Sequence, residues 1–425
     1  MDAAVTTIRG ARYAAGPHEA MHGFLAISDG KLVAVKHEHT IESSAAVHID
    51  LDGFLLLPGL VNAHDHLQYG LHPRIGDPPY DDYVGWGDDI HANSQALISR
   101  YNSVPRDVRV WWGGIRNLLS GVTAVCHHDP LWPALLSDDY PVKVLRNYGW
   151  AHSVQLASDI RQAWSATPDG SAFFIHACEG VNERSRSELI QLDSLGMLDA
   201  TTVLVHGLAL DECGIALLQK RMSSLIVCLS SNQFLYGRLL EMKCLDAIHR
   251  IALGNDSPLT AAGDLLDEVR FAVEYAGIPT ERAYRMITDI PASMLRLSHG
   301  EGHIHESASA DFIAIRDDGS APHERLCALS WHDVEFVMVA GEVRLASEYV
   351  WQILPPIVRS GMERVWVDGE ARWLRAPIQQ LFRDAEASLG TNGVRLNGRK
   401  IQLAPPAASA SPIADYELSH EIVRL

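Results

Sequence analysis

The sequence predicts an α/β protein: a β/α barrel over residues 59–300, with a small composite β-sandwich domain built from residues 1–58 and 301–350. Three observations point there. Compact apolar runs alternate with longer amphipathic stretches through the middle of the chain, as parallel strands joined by helices do. Those runs end in polar residues, which is where barrel enzymes place their chemistry. On both sides of this region lie short apolar runs broken by turn residues, the texture of hairpins.

In chain order, residues 24–27 (FLAI) and 31–35 (KLVAV) flank Asp29-Gly30, a hairpin turn pair. The same texture returns at 310–315 (ADFIAI) and 334–343, so the two flanks are expected to build one domain together. Between them, residues 54–61 lead into His64-Asp65-His66, 121–126 into His127-His128-Asp129, 172–175 into His176, 203–205 into His206 and 251–254 into Asn255-Asp256. Residues 351–425 are expected to form a helical extension and flexible tail, with 404–412, rich in Pro, Ala and Ser, as an extended connector.

Composition narrows the function. Hydrophobic residues make up 47% and charged residues 21%, ordinary globular usage, and no apolar run approaches the roughly 20 residues of a membrane span. A formal charge of −18 repels phosphate backbones and anionic membranes, so neither nucleic acid nor membrane is an expected partner. The six cysteines lack paired spacing, arguing against both a disulfide framework and a thiolate metal cage. The amino end lacks a basic-then-apolar leader pattern, which gives a cytoplasmic expectation.

The period of two in a strand points His64 and His66 the same way and Asp65 the other. Alone, such a pair is weak evidence in a chain with 21 histidines. Its weight comes from His176, His206 and Asp256 ending three further runs. Imidazoles with one carboxylate suit Zn²⁺ or Fe²⁺ far better than Ca²⁺ or Mg²⁺.

In the order of these motifs the chain resembles the amidohydrolase superfamily, in its mononuclear branch of aminohydrolases and chlorohydrolases, such as guanine and cytosine deaminases and triazine hydrolases. Residues 57–67 (LPGLVNAHDHL) are similar to that family's first barrel strand, His176-x-x-Glu179 to its fifth and Val205-His206-Gly207 to its sixth. Ser230-Ser231-Asn232 is similar to the Ser-Asn pair after the seventh, and 253–258 (LGNDSP) to the eighth. The resemblance spans about residues 20–345 and implies a (β/α)₈-type TIM barrel. Between His66 and His176 the chain is too short for the three further strand-helix units usual there, so the barrel is expected to be distorted or one unit short. Leu229 also stands where the family usually has proline.

The resemblance implies that His64, His66, His176 and Asp256 hold one divalent ion, Zn²⁺ as the expected ion and Fe²⁺ as the alternative. Glu179, His206 and Asp256 would be catalytic: Asp256 and Glu179 moving protons, and His206 orienting water, with direct ligation by His206 left open. No lysine ends a strand before His176 to carry a bridge between two metals. Asp65 is expected behind the ligands. His128, Trp86, Tyr83, Asn232 and Phe234 are the expected substrate contacts, the aromatic ones suited to a flat ring. The implied reaction is hydrolytic deamination of a small neutral or cationic nitrogen heterocycle. Opening of a cyclic amide or dechlorination at the same site is the alternative, and a catalytically silent barrel the non-enzyme reading. A homodimer is left open.

Overall fold

A computed structural model describes residues 5–36, 47–390 and 392–405. Parallel strands Leu60–Asp65, Val122–His127, Lys143–Val144, Tyr148–Ser153, Ala172–Ala177, Thr202–His206, Ser224–Val227 and Ile251–Leu253 pair in sequence order on either side of a break after Val144. The amides of Asn255 and Asp256 both donate to the His64 carbonyl at 3.1 Å, which joins the last strand to the first.

Only three residues separate Lys143–Val144 from Tyr148–Ser153. Parallel neighbours need a crossover of a dozen or more residues, so these pieces are one bent strand. Its start pairs with Val122–His127 and its end with Ala172–Ala177. The described residues therefore form a barrel of seven strand positions, one unit short. The 3₁₀ turn Pro133–Leu136 stands where a helix would be.

Alternation along the strands explains the cores. Val61, Ala63, Ala124, Phe174, Val203, Val205, Ile226 and Ala252 pack together inside the barrel. Leu60, Val125, Phe173, Ile175, Leu204, Leu225 and Leu253 join the outer cluster beneath the helices. A register shift between Asn62 and Asp65 re-aims the end of the first strand, where His64 turns to the axis and Asp65 away from it.

Strands of both flanks meet in two sheets beside the barrel. Thr6–Arg9, Phe24–Ser28, Lys31–Lys36 and Val47–Asp50 form a four-stranded sheet. Phe54–Pro58 pairs antiparallel with Phe312–Arg316 inside a ten-stranded sheet. Phe54, Leu56, Phe312 and Ala314 face the small sheet's Ile8, Leu25 and Ile49. Their neighbours Leu55, Leu57, Ile313 and Ile315 face the barrel's outer cluster.

The stretch after residue 350 differs from the expected helical extension. It contains helices Glu348–Ile353, Pro356–Arg359 and Ile378–Leu389, but Glu363–Val367, Glu370–Leu374 and Arg399–Gln402 are strands of the large sheet. The reason is local: Asp368 and Gly369 take φ of 45° and 89°, the left-handed pair a tight hairpin requires. Most of the expected connector, from residue 406 on, lies outside the described residues.

Candidate metal centre

Three strand ends converge at the carboxyl mouth of the barrel. His64 Nε2 lies 3.2 Å from His176 Nε2 and 3.6 Å from Asp256 Oδ1, and His66 Nε2 lies 3.8 Å from the same oxygen. Donor atoms of His64, His66 and His176 fall within 4.8 Å of one another. All four residues are buried. Gly254 permits this approach: a Cβ there would sit 2.6 Å from His64 Cβ.

The fit to an ion rests on where the ring protons are held. His66 Nδ1 donates to Asp129 Oδ2 at 2.6 Å, His176 Nδ1 to the His152 carbonyl at 2.5 Å, and His128 Nε2 to the Ala151 carbonyl at 2.9 Å. That leaves His128 Nδ1 to accept from His64 Nδ1, 3.3 Å away. In each of the three candidate ligand rings Nδ1 is thus engaged on the outer side and Nε2 is turned inward, the orientation that a cation needs. Burial lowers the His64 pKa to about 4 and takes His176 well below the usual imidazole value. At His66 burial works downward too, but the bond to Asp129 and the nearby carboxylates win and raise it to about 9. Burial pushes Asp256 upward, yet the His64 bond and the surrounding imidazoles hold its carboxyl well below the usual range. Asp256 Oδ2 also accepts from the Ser231 and Thr260 hydroxyls at 2.8 and 2.9 Å.

Glu179 and His206 stand beside this group. Burial raises the Glu179 carboxyl, partly offset by His206 and by the Tyr236 hydroxyl, which donates to Oε1 at 2.8 Å. Glu179 Oε2 is 3.6 Å from His206 Nε2, and His206 Nδ1 donates to Asn232 Oδ1 at 3.0 Å. Cys178, His206 and Asp256 take φ of 56°, 76° and 56°, so left-handed turns at three strand ends aim these side chains.

The model of the Amidohydrolase family matches residues 170–344. A 5-methylthioadenosine/S-adenosylhomocysteine deaminase of Haloarcula marismortui is 26% identical over 69% of this chain and 79% of its own length. Over residues 170–344 the chain is similar to the amidohydrolase family. Among solved structures, an adenosine deaminase from Xanthomonas campestris with bound zinc aligns at TM-score 0.66 and 19% identity, over 91% of this chain and 98% of that one. An atrazine chlorohydrolase from Arthrobacter aurescens complexed with zinc aligns at TM-score 0.69 and 16% identity, over 90% and 99%.

Within the barrel a cavity of about 230 Å³ opens beside the four donors. Tyr83 and Trp86 line it, with Tyr69, His152, Leu156, Glu179 and His206. Three expected substrate contacts do not. His128 lies beneath the ligands, stacked on His176 with ring centres 4.2 Å apart. Asn232 is buried and spends its carbonyl on His206. Phe234 turns away under the Arg74 guanidinium, 4.5 Å from its ring, and Leu235 takes the wall instead.

Other residues of the site escape sequence reasoning. His152 ends an apolar run, 148–151, and could have been found by the rule that found His176. Glu188 is fully buried; its carboxylate accepts from the Tyr83 hydroxyl at 2.9 Å and the Cys178 amide at 2.7 Å. Burial lifts it to about 7. Asp65 points outward, where Arg116 and Asn117 donate to Oδ2 at 2.6 and 2.7 Å.

Proposed function

We propose that this chain is a metal-dependent deaminase that replaces the amino group of an aminated purine or related nitrogen heterocycle with oxygen, releasing ammonia. The observation that carries the reading is the convergence of three inward-facing imidazole Nε2 atoms and Asp256 beside a cavity that also holds the buried carboxyl of Glu179. The name of the Haloarcula relative, a deaminase of adenine nucleosides, supports the ring class.

His64, His66, His176 and Asp256 would hold one divalent ion, Zn²⁺ in our reading with Fe²⁺ as the alternative. A bound ion of this kind supplies a water whose pKa is lowered towards 7. The chain's residues do the rest. Asp256, kept ionised by its surroundings, accepts a proton at Oδ1. Glu179, whose carboxyl burial pushes upward, delivers a proton to the ring nitrogen or the departing amine. His206, fixed by Asn232, orients the incoming oxygen and steadies developing negative charge. Tyr83 and Trp86 offer apolar faces to a flat ring. Among the described residues no helix is long and apolar enough to cross a membrane. We place the enzyme in the cytoplasm.

Purified protein, its Glu179→Gln variant and its Asp256→Ala variant should be assayed for ammonia release from adenine, adenosine, methylthioadenosine, guanine and cytosine, with metal content measured in each. About one equivalent of zinc or iron is expected in the wild type and less in Asp256→Ala. Glu179→Gln should keep its metal and lose about 10²- to 10⁴-fold in kcat. Full activity in metal-free wild type, or a new carboxylate without ammonia, would overturn the reading.

A further inference from the structure

One short helix touches all three reacting groups. Leu229–Tyr236 follows the strand Ser224–Val227 and is buried along most of its length. Ser231 donates to Asp256 Oδ2 at 2.8 Å, Asn232 accepts from His206 Nδ1 at 3.0 Å, and Tyr236 donates to Glu179 Oε1 at 2.8 Å. Asn232 and Tyr236 stand four residues apart, so they share a face of the helix.

The start of this helix is held by a single side chain. Glu268, on the helix Leu265–Glu274 and only 1% exposed, accepts from the Leu229 amide at 2.5 Å, the Ser230 amide at 3.2 Å and the Ser230 hydroxyl at 2.5 Å. A carboxylate there satisfies amides that have no partner within the helix and complements its positive end. Ser230 Oγ in turn accepts from the Ala262 amide at 3.0 Å, in the loop that follows Asp256. The helix start, Glu268 and the Asp256 loop are thus one hydrogen-bonded block. Glu268 lines no part of the cavity.

We infer that Glu268 is a positioning residue: by clamping the start of the Leu229–Tyr236 helix it seats Asp256, His206 and Glu179 together. The inference rests on the metal-dependent reading above. Without the clamp, one small rotation of the helix moves three hydrogen bonds at once, so ion affinity and proton transfer should weaken together while the cavity wall formed by Tyr83, Trp86 and Leu156 stays in place.

The test uses the full chain loaded with Zn²⁺ and, separately, with Co²⁺. Glu268→Gln keeps the shape but loses the charge and one acceptor, and Ser230→Ala removes one bond with little risk to folding. Val365→Ala, in the large sheet of the sandwich and remote in sequence, serves as a control for general destabilisation. For Glu268→Gln we expect ion affinity, read by chelator competition, to fall about 10- to 100-fold. kcat should fall about tenfold or more, with KM held within about threefold. The visible spectrum of bound Co²⁺ should change. Ser230→Ala should move each readout in the same direction by less, and Val365→Ala should move none. A wild type that binds no ion overturns the metal reading and this inference with it. A wild type that binds and turns over, matched in affinity, kcat and Co²⁺ spectrum by both Glu268→Gln and Ser230→Ala, overturns this inference alone.

Discussion

Asp129 acts through one hydrogen bond. By taking the Nδ1 proton of His66 it fixes which nitrogen faces the proposed ion, and Gln68 supports the same oxygen from the side at 2.7 Å. Replacing Asp129 with Asn should weaken ion affinity about 10- to 100-fold, measured by chelator competition; unchanged affinity would remove Asp129 from the site. Glu188 offers a different measurement. Its ordinary pKa of 4.5 rises to about 7 in the fold, so between those values the folded chain holds a proton that the unfolded chain has released. Stability then falls as pH rises through that window, by up to about 3 kcal/mol for such a shift. Glu188→Gln should flatten that part of the stability profile in denaturant melts at pH 5, 6, 7 and 8. His64, His66, His176, His206 and Asp256 were legible in the sequence because each ends an apolar run. Glu188, Glu268 and the role of Asp129 were not, since their meaning lies in partners far away along the chain. Phe234 shows the converse: an aromatic next to the right motif, turned outward by one residue of helix.

At the scale of elements, the helix Arg106–Leu119 does more than cover the barrel. Its buried Arg116 donates to Asp65 Oδ2 and to the Asp256 carbonyl, tying the backs of two ligand-bearing strand ends to one guanidinium. Removing one partner leaves a buried charge uncompensated. Arg116→Met should therefore cost about 3–5 kcal/mol, seen in equilibrium unfolding, and Asp65→Asn in the same chain should recover part of it. A loss below about 1 kcal/mol would mean that water already reaches the pair. The alternating apolar runs made most strands readable, and the short stretch between His66 and His176 already implied a missing unit. That one strand bends to serve two neighbours could not be read, because nothing in 143–153 separates one bent strand from two straight ones. The hairpin at Asp368-Gly369 was readable from its turn pair, but helical stretches on either side masked it.

The whole molecule is stitched across its two cores. Gly59 alone separates the sandwich strand Phe54–Pro58 from the barrel strand Leu60–Asp65, and alternate residues of the large sheet serve one core and then the other. The late segment crosses as well: Trp112 donates to the Leu381 carbonyl, and Arg399 pairs with Asp264 and Asp267 at the start of the helix that carries Glu268. Sandwich and barrel should consequently unfold in one transition. Calorimetry should show a single peak that moves up on adding ion, by about 2.7 kcal/mol of stability at a free concentration 100 times Kd. Stripping the ion should lower it, and two well-separated peaks would refute the coupling.

The seam of the barrel carries a consequence for synthesis. His64 gives its ring to the proposed ion and its carbonyl to the amides of Asn255 and Asp256, so the first strand can be closed only by residues made some two hundred positions later. A chain emerging from the ribosome exposes its three histidines well before it exposes the carboxylate that completes them. Loading with the proposed ion should therefore be a late event, decided when Asp256 docks rather than when His64 appears.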